Sequence, residues 1–477
     1  MNRYRIFTAT ALAIISLGSL LLTTGCANII PPQGGQRDSL PPTILKINPK
    51  DSATNFSGNK INFYFDEYID VQNVSENLIV SPLPANIPVI EFKLREMTVK
   101  LKDSLIPNTT YSIEFGNAIK DFTEGNILKN PRYVFSTGSY MDSLEIAGRL
   151  VMAETGKADS TLLVMLHITG NDSAVIKSKP AYITRLDNKG RFVFRNLPPK
   201  KFYLYALKDE GGSKRYNGGS QLFAFADSAV NASAKPDSVK LFAYAGKSTN
   251  NILPASPIEN QGNKNKNSAD KRLKYQTNLT NGQQDLLSSF TLTFEQGLKK
   301  LDSAGIALYT DSSYTPATNY KLSKDSSSKI VSIDAGWEPQ RLYHLVLTKD
   351  FAIDSLDHQL SKNDTITFVA KKKTDYGAIK IKLRKLDLKL NPVLQFIQAE
   401  KVVKSVVLTG AEYAAELFQP GEYQLRILLD NNKNGIWDTG DFFHGRKQPE
   451  RVIPLDKKIS VKSGWSNDYE LDIPLSL

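Results

Sequence analysis

The chain has 477 residues, with 60 Lys plus Arg against 49 Asp plus Glu, and a single cysteine. One cysteine excludes an intramolecular disulfide framework, so each folded module depends on its own apolar core. The net charge of +11 is spread along the chain without a basic cluster, which argues for a solvated basic surface and against a nucleic-acid partner.

The N-terminus carries Arg3 and Arg5, an apolar stretch over 6–22, and the small residues TTG before Cys26. This is the layout of a secretory signal, and Ser and Thr interrupt the apolar run too often for a permanent span. The pattern resembles a bacterial lipobox, with Thr23 where Leu is usual. It implies a signal peptide over 1–25 and lipidation of Cys26; the plainer reading is a cleaved signal followed by an incidental cysteine. Residues 26–40, rich in Pro, Gly and polar side chains, read as a flexible tether.

From 41 to 138, short runs of alternating apolar residues are separated by Pro, Asn, Asp and Gly: INFYF at 61–65, TVKL at 98–101, YSIEF at 111–115 and YVF at 133–135. Period two with frequent turn residues predicts an antiparallel sandwich. Residues 142–250 repeat that grammar in a second β domain, with LEIAG at 144–148, LLVML at 162–166, GRFVF at 190–194 and FYLYAL at 202–207. Residues 251–271 are polar and Asn-rich, and read as a linker. A third domain is expected over 273–373 and a fourth over 375–477.

Two internal matches order these domains. FYLYALKDEGGSKRYNGG at 202–219 returns 221 positions later as YQLRILLDNNKNGIWDTG at 423–440. The copies keep Leu204 with Leu425, Leu207 with Leu428, Asp209 with Asp430, Tyr216 with Trp437 and Gly219 with Gly440. KINFYFDEYID at 60–70 returns in degraded form as SFTLTFEQGLK at 289–299. The predicted fold is all-β, four tandem sandwiches in the order A, B, A′, B′.

Module A, through LIPNTTY at 105–111, Asp121, Gly125-Asn126 and the closing FST at 135–137, resembles the bacterial Ig-like domain found at the N-terminus of some S-layer proteins. Module A′ keeps the tyrosine strand and Asp354 without the Thr-Thr pair. Module B, through GRFVFRNLPPKKFY at 190–203, resembles the carboxypeptidase regulatory-like, or transthyretin-like, sandwich, and B′ places FQPGEY at 418–423 at the same point. The combination resembles cell-envelope lipoproteins of the Bacteroidota type. Neither domain resemblance implies catalysis; both imply stalks, spacers or binding accessories.

Two features carry candidate chemistry. Asp430, Asn432, Asn434, Ile436, Asp438 and Asp441 fall at positions 1, 3, 5, 7, 9 and 12 of a calcium-type loop with Gly435 at position 6. Asn434-Gly435 between apolar runs is equally a hairpin turn, and the copy in B lacks comparable donors, so the turn is the favoured reading and calcium the one cofactor in contention. The triplet Asp-(Ser/Thr)-apolar or Thr occurs eleven times, against roughly two from random mixing. It resembles the acceptor motif of the Bacteroidota O-glycosylation system, with Ser39, Ser52, Ser104, Ser143, Ser160, Ser173, Ser228, Ser238, Ser303, Ser355 and Thr365 as acceptors. Asp-Ser is also ordinary turn chemistry.

Catalytic signatures are absent from the sequence. His167, His344, His358 and His444 are isolated, and Gly246-Lys-Ser248 lacks the first glycine of a phosphate loop because residue 241 is Leu. The expected function is a non-enzymatic, membrane-anchored envelope lipoprotein, a four-module rod for spacing or for contact with envelope proteins or glycans, held to the outer membrane by its lipid. The alternative is a carbohydrate-binding accessory lipoprotein, which requires Tyr216, Trp437, Trp465 or their neighbours to form an exposed aromatic row.

Overall fold

The structure is a computed structural model that describes residues 37–246 and 272–474; the signal peptide, Cys26, most of the tether and the whole 251–271 linker lie outside them. The chain divides into two compact units, 1–141 and 142–477. It is all-β: the α-helices among the described residues are the single turns Val74–Asn77 and Ala174–Lys177.

The first unit holds module A. One sheet orders Ile44–Asn48, Lys60–Phe65, Glu96–Lys100 and Val89–Lys93; the facing sheet orders Ile79–Ser81, Thr110–Glu114 and Arg132–Ser136. In Lys60–Phe65 every second side chain, Ile61, Phe63 and Phe65, is buried, the alternation a half-buried strand requires. Phe63 meets Phe115 and Tyr133 edge-on between the sheets, at 5.4 and 5.6 Å.

The second unit contains B, A′ and B′, each around its own apolar cluster. A′ repeats the architecture of A. Its first sheet orders Tyr275–Thr277, Phe290–Phe294, Ile330–Asp334 and Lys321–Lys324, matching the first sheet of A strand for strand. Two details carry the equivalence to single residues. The Tyr111 hydroxyl accepts the Ile106 N–H, and the Tyr343 hydroxyl accepts the Glu338 N–H, each from five residues upstream. Asp121 pairs with Ile69, and Asp354 with Leu298, at the end of a short ribbon, and each buried carboxylate accepts the N–H groups of the turn that follows it. The missing Thr-Thr pair therefore leaves the topology intact.

B and B′ are likewise duplicates. In B the strand Leu144–Met152 lies between Arg191–Leu197 and Ser238–Ala243; in B′ Gly377–Arg384 lies between Glu412–Phe418 and Ser466–Asp472. In both, the pairing of first strand with last is parallel, a feature that periodicity could not show. The second sheets order Tyr182–Arg185, Leu162–His167, Lys201–Lys208 and Phe223–Phe225 in B, and Lys401–Val407, Pro392–Gln398, Gly421–Leu429 and Arg451–Val461 in B′.

The modules of this unit do not follow one another as separate beads. B and B′ are separated in sequence by all of A′, yet they pack together: Val452 N–H donates to the Ala153 carbonyl at 3.0 Å, and buried Arg426 donates to the Glu154 carbonyl at 2.6 Å and to Gln395 at 2.7 Å. A′ meets B′ where the Leu286 N–H donates to the Tyr376 hydroxyl at 2.7 Å and Gln419 binds Asp285. The rod expected from sequence fails for these three modules because side-chain and loop contacts, invisible to strand patterning, close B onto B′.

Candidate functional site

The loop joining Gly421–Leu429 to Arg451–Val461 holds the calcium-like residues. Asp430 is 1 % exposed; its Oδ1 accepts the N–H groups of Lys433 and Asn434, and its Oδ2 that of Gly435 at 2.7 Å. The Asn432 and Asn434 side-chain oxygens accept N–H groups two residues on, from Asn434 and Ile436, while their amide nitrogens both donate to Asp438 Oδ2. Asp441 is turned elsewhere: its carboxylate accepts the His444 N–H and sits 2.9 Å from the His444 ring, and the His444 N–H holds its pKa below the usual carboxylate range.

The structure thus brings Asp430, Asn432, Asn434 and Asp438 into one network and directs Asp441 to a separate turn. Among the described residues no group of three carboxylate, His or Cys side chains gathers as a metal centre would require. The donor set does not fit a calcium ion as it stands, because Asp438 is engaged by two amide N–H groups where an ion needs converging oxygens.

Sequence reasoning missed Glu450. It is 2 % exposed, and its two carboxylate oxygens accept the N–H groups of Asn431 and Asp438, closing both ends of the loop. Trp437 adds a bond from its indole N–H to the Glu450 carbonyl at 2.7 Å and packs on Val393, Leu428 and Val452. Glu450 stands 20 positions after Asp430, beyond the reach of any short motif.

The copy in B shows which parts belong to the fold. Asp209 Oδ1 accepts the Lys214 N–H, five residues on, as Asp430 accepts Gly435. Lys214 and Gly435, at aligned positions, have φ of 53° and 75°. The same left-handed turn onto an aspartate thus forms without the other oxygen donors, and a glycine there only removes strain.

What the B′ loop does is dock on B. Phe442, 3 % exposed, lies 4.9 Å from Phe225, 5.3 Å from Phe223 and 5.7 Å from Tyr205 between ring centroids. Arg446 stacks over Phe442 and Phe225, pairs with Asp172 at 2.7 Å and donates to the Ala226 carbonyl at 3.0 Å. Gln448 reaches the Phe225 carbonyl and Asp227, and the Thr439 hydroxyl donates to the Ala245 carbonyl. Tyr216 of the B loop packs at a tilt against Phe223 and against Phe443 of the B′ loop. Tyr216 and Trp437 are therefore packing residues; Trp465 is 67 % exposed, beside Lys462.

The four histidines stay apart. Burial pushes His167 down to about 4, keeping it neutral against Tyr205. His344 stacks on Tyr314 and bonds Thr367, and His358 bonds Asp354.

Of the eleven candidate acceptors, all but Ser173 are exposed. Several of the preceding aspartates make the expected local turn: Asp38, Asp159, Asp302 and Asp354 each accept the N–H two residues on. Cys26 lies outside the described residues.

Residues 38–137 match the bacterial Ig-like domain family, so module A carries such a domain. No curated protein matches the chain. Among solved structures, the TIE protein of Bacillus anthracis aligns over 93 % of this chain and 76 % of its own at 10 % identity and a TM-score of 0.17. The N-terminal part of the bacterial S-layer protein SbsC aligns over 44 % and 45 % at 13 % identity and a TM-score of 0.16. BcpA, the major pilin subunit of Bacillus cereus, aligns over 70 % and 100 % at 11 % identity and a TM-score of 0.17.

Proposed function

We propose that this chain is a non-enzymatic lipoprotein of the cell envelope, anchored to the outer membrane through Cys26 and acting as a structural spacer and protein-interaction module. The anchor rests on the N-terminal pattern before Cys26, and one observation carries the structural role: the loop with the richest set of potential ligands holds B′ to B, through Phe442, Arg446 and Gln448. A module whose most elaborate loop fixes its neighbour is built to hold a shape.

The carbohydrate-binding alternative loses support because Tyr216 and Trp437 are packed, which leaves Trp465 without an aromatic row on B or B′ among the described residues. Calcium is not part of the proposal, since Asp438 is engaged by amides. O-glycosylation is part of it at the acceptors away from the B–B′ contact, where exposed hydroxyls are accessible; Ser173 and Ser228 adjoin Asp172 and Asp227, which bind Arg446 and Gln448, and are left out of it.

Separation of host membranes tests the reading. The wild-type chain is expected in the outer-membrane fraction and a Cys26→Ala variant in the soluble envelope fraction; identical distribution of the two overturns the anchor.

A further inference from the structure

Among the large apolar side chains that module A leaves exposed, three stand together. Tyr68, Leu94 and Phe122 are 51, 59 and 71 % exposed. They come from three separate segments and are brought together by the backbone, since Ile69 N–H donates to the Leu94 carbonyl and Phe122 N–H to the Tyr68 carbonyl. Arg95 stacks over the Tyr68 ring at 5.3 Å.

Leu94 is also costly to its own turn. It sits at φ 55° in the two-residue connection between Val89–Lys93 and Glu96–Lys100, a conformation that Asn or Gly adopts with less strain and that a bulky residue rarely takes. An exposed leucine kept in a left-handed turn points to a use outside the fold.

The patch lies at the end where the chain enters the module. Arg37 donates to the Glu124 carbonyl, and Asn126 to the Asp38 carbonyl, which places Asp38 on the loop that carries Phe122. Twelve positions separate Asp38 from Cys26, and a segment of that length spans at most about 40 Å. We propose that Tyr68, Leu94 and Phe122 form a membrane-docking surface that seats module A in the headgroup region of the bilayer holding Cys26. This rests on the lipid-anchored reading. Tyr and Phe are suited to that depth, with an apolar body and, in Tyr, a polar tip, and Arg95 keeps its charge toward water.

The surrounding charge is mixed. Asp38, Asp66, Asp121 and Glu124 surround Glu67, whose pKa burial and then these carboxylates push up. Arg37, Lys93, Arg95 and Lys120 lie on the same segments, so neither sign dominates around the patch and its apolar side chains are what the bilayer would take up.

Because Cys26 is the single cysteine, a maleimide lipid attaches the chain from residue 26 onward to phosphatidylcholine vesicles whether or not the cell acylates it. Amide hydrogen exchange over 66–70, 92–96 and 121–125 is expected to slow by at least about threefold relative to the same chain capped with a soluble maleimide. The Leu94→Ser/Phe122→Ser pair should abolish that slowing without lowering the melting temperature. No slowing on phosphatidylcholine overturns the docking, as does slowing that survives the paired substitution. Slowing that scales with protein density on the vesicle names a second copy as the occupant and also overturns it. An unacylated Cys26 in the native protein overturns the anchored reading itself, independently of the vesicle result.

Discussion

Replacing Phe442 by Ala isolates the contact that joins B′ to B. The ring is 3 % exposed and meets Phe225, Phe223 and Tyr205, all of module B, with Arg446 over its face. Burying about 150–200 Å² of aromatic surface at about 25 cal/mol/Å² sets an upper value near 4–5 kcal/mol. Buried Phe→Ala substitutions cost about 3–5 kcal/mol. Some of this burial persists against the loop itself, so we expect a loss of about 3 kcal/mol, roughly a hundredfold in the docking equilibrium. Hydrogen exchange reads it locally: peptides over 439–450 and 223–226 should exchange about a hundredfold faster, while those from module A, in the other unit, stay unchanged. Phe443→Ala, at a side chain 40 % exposed, serves as the control and should cost under about 1 kcal/mol. A Phe442→Ala effect no larger than this control refutes the docking role of the loop.

Gly156, at φ 67°, sits so close to Pro454 that a Cβ would lie 2.3 Å from its Cδ; Gly156→Ala should accelerate exchange in the 452–454 segment, and wild-type rates there would contradict the packing. His167 is neutral when folded, with its pKa down at about 4, so the unfolded chain binds the extra proton. Stability from this group is complete above the ordinary value near 6.5 and falls as pH drops toward 4, by up to about 1.4 kcal/mol per pH unit. Thermal melts at pH 7 and pH 5 should show that loss in wild type and a smaller one in His167→Phe; equal losses would remove His167 from the account. Millimolar calcium should leave the melting temperature within about 1 °C of its value in chelator, because ligand-linked stabilisation needs a competent site; a rise of several degrees would restore the calcium reading of 430–441.

The strands were legible because their residues alternate: Ile61, Phe63 and Phe65 declare a buried face whatever they pair with. The duplication was legible for the same reason that it persists, since Leu204 and Leu425 fill equivalent cores and Asp209 and Asp430 close equivalent turns. Partner choice was not legible. Nothing in the alternation of Leu144–Met152 says that it pairs in parallel with Ser238–Ala243, because side-chain period reports faces and not neighbours. The B–B′ contact was hidden more deeply. Phe442, Arg446 and Gln448 read as loop residues, and their partners lie more than 200 positions away. Glu450 was missed because its two N–H donors meet it only after the loop has folded back. The loop resembled a calcium site because both uses demand acceptors at short spacing, and the directions of the Asn432 and Asn434 amides and of the Asp441 carboxylate separate them.

The anchor is the claim on which the functional reading stands, and the mass of the N-terminal peptide of the protein isolated from its own membranes tests it most directly. An anchored protein yields a peptide that begins at Cys26 and carries acyl chains. A chain that begins elsewhere, or an unmodified Cys26 thiol, would contradict it.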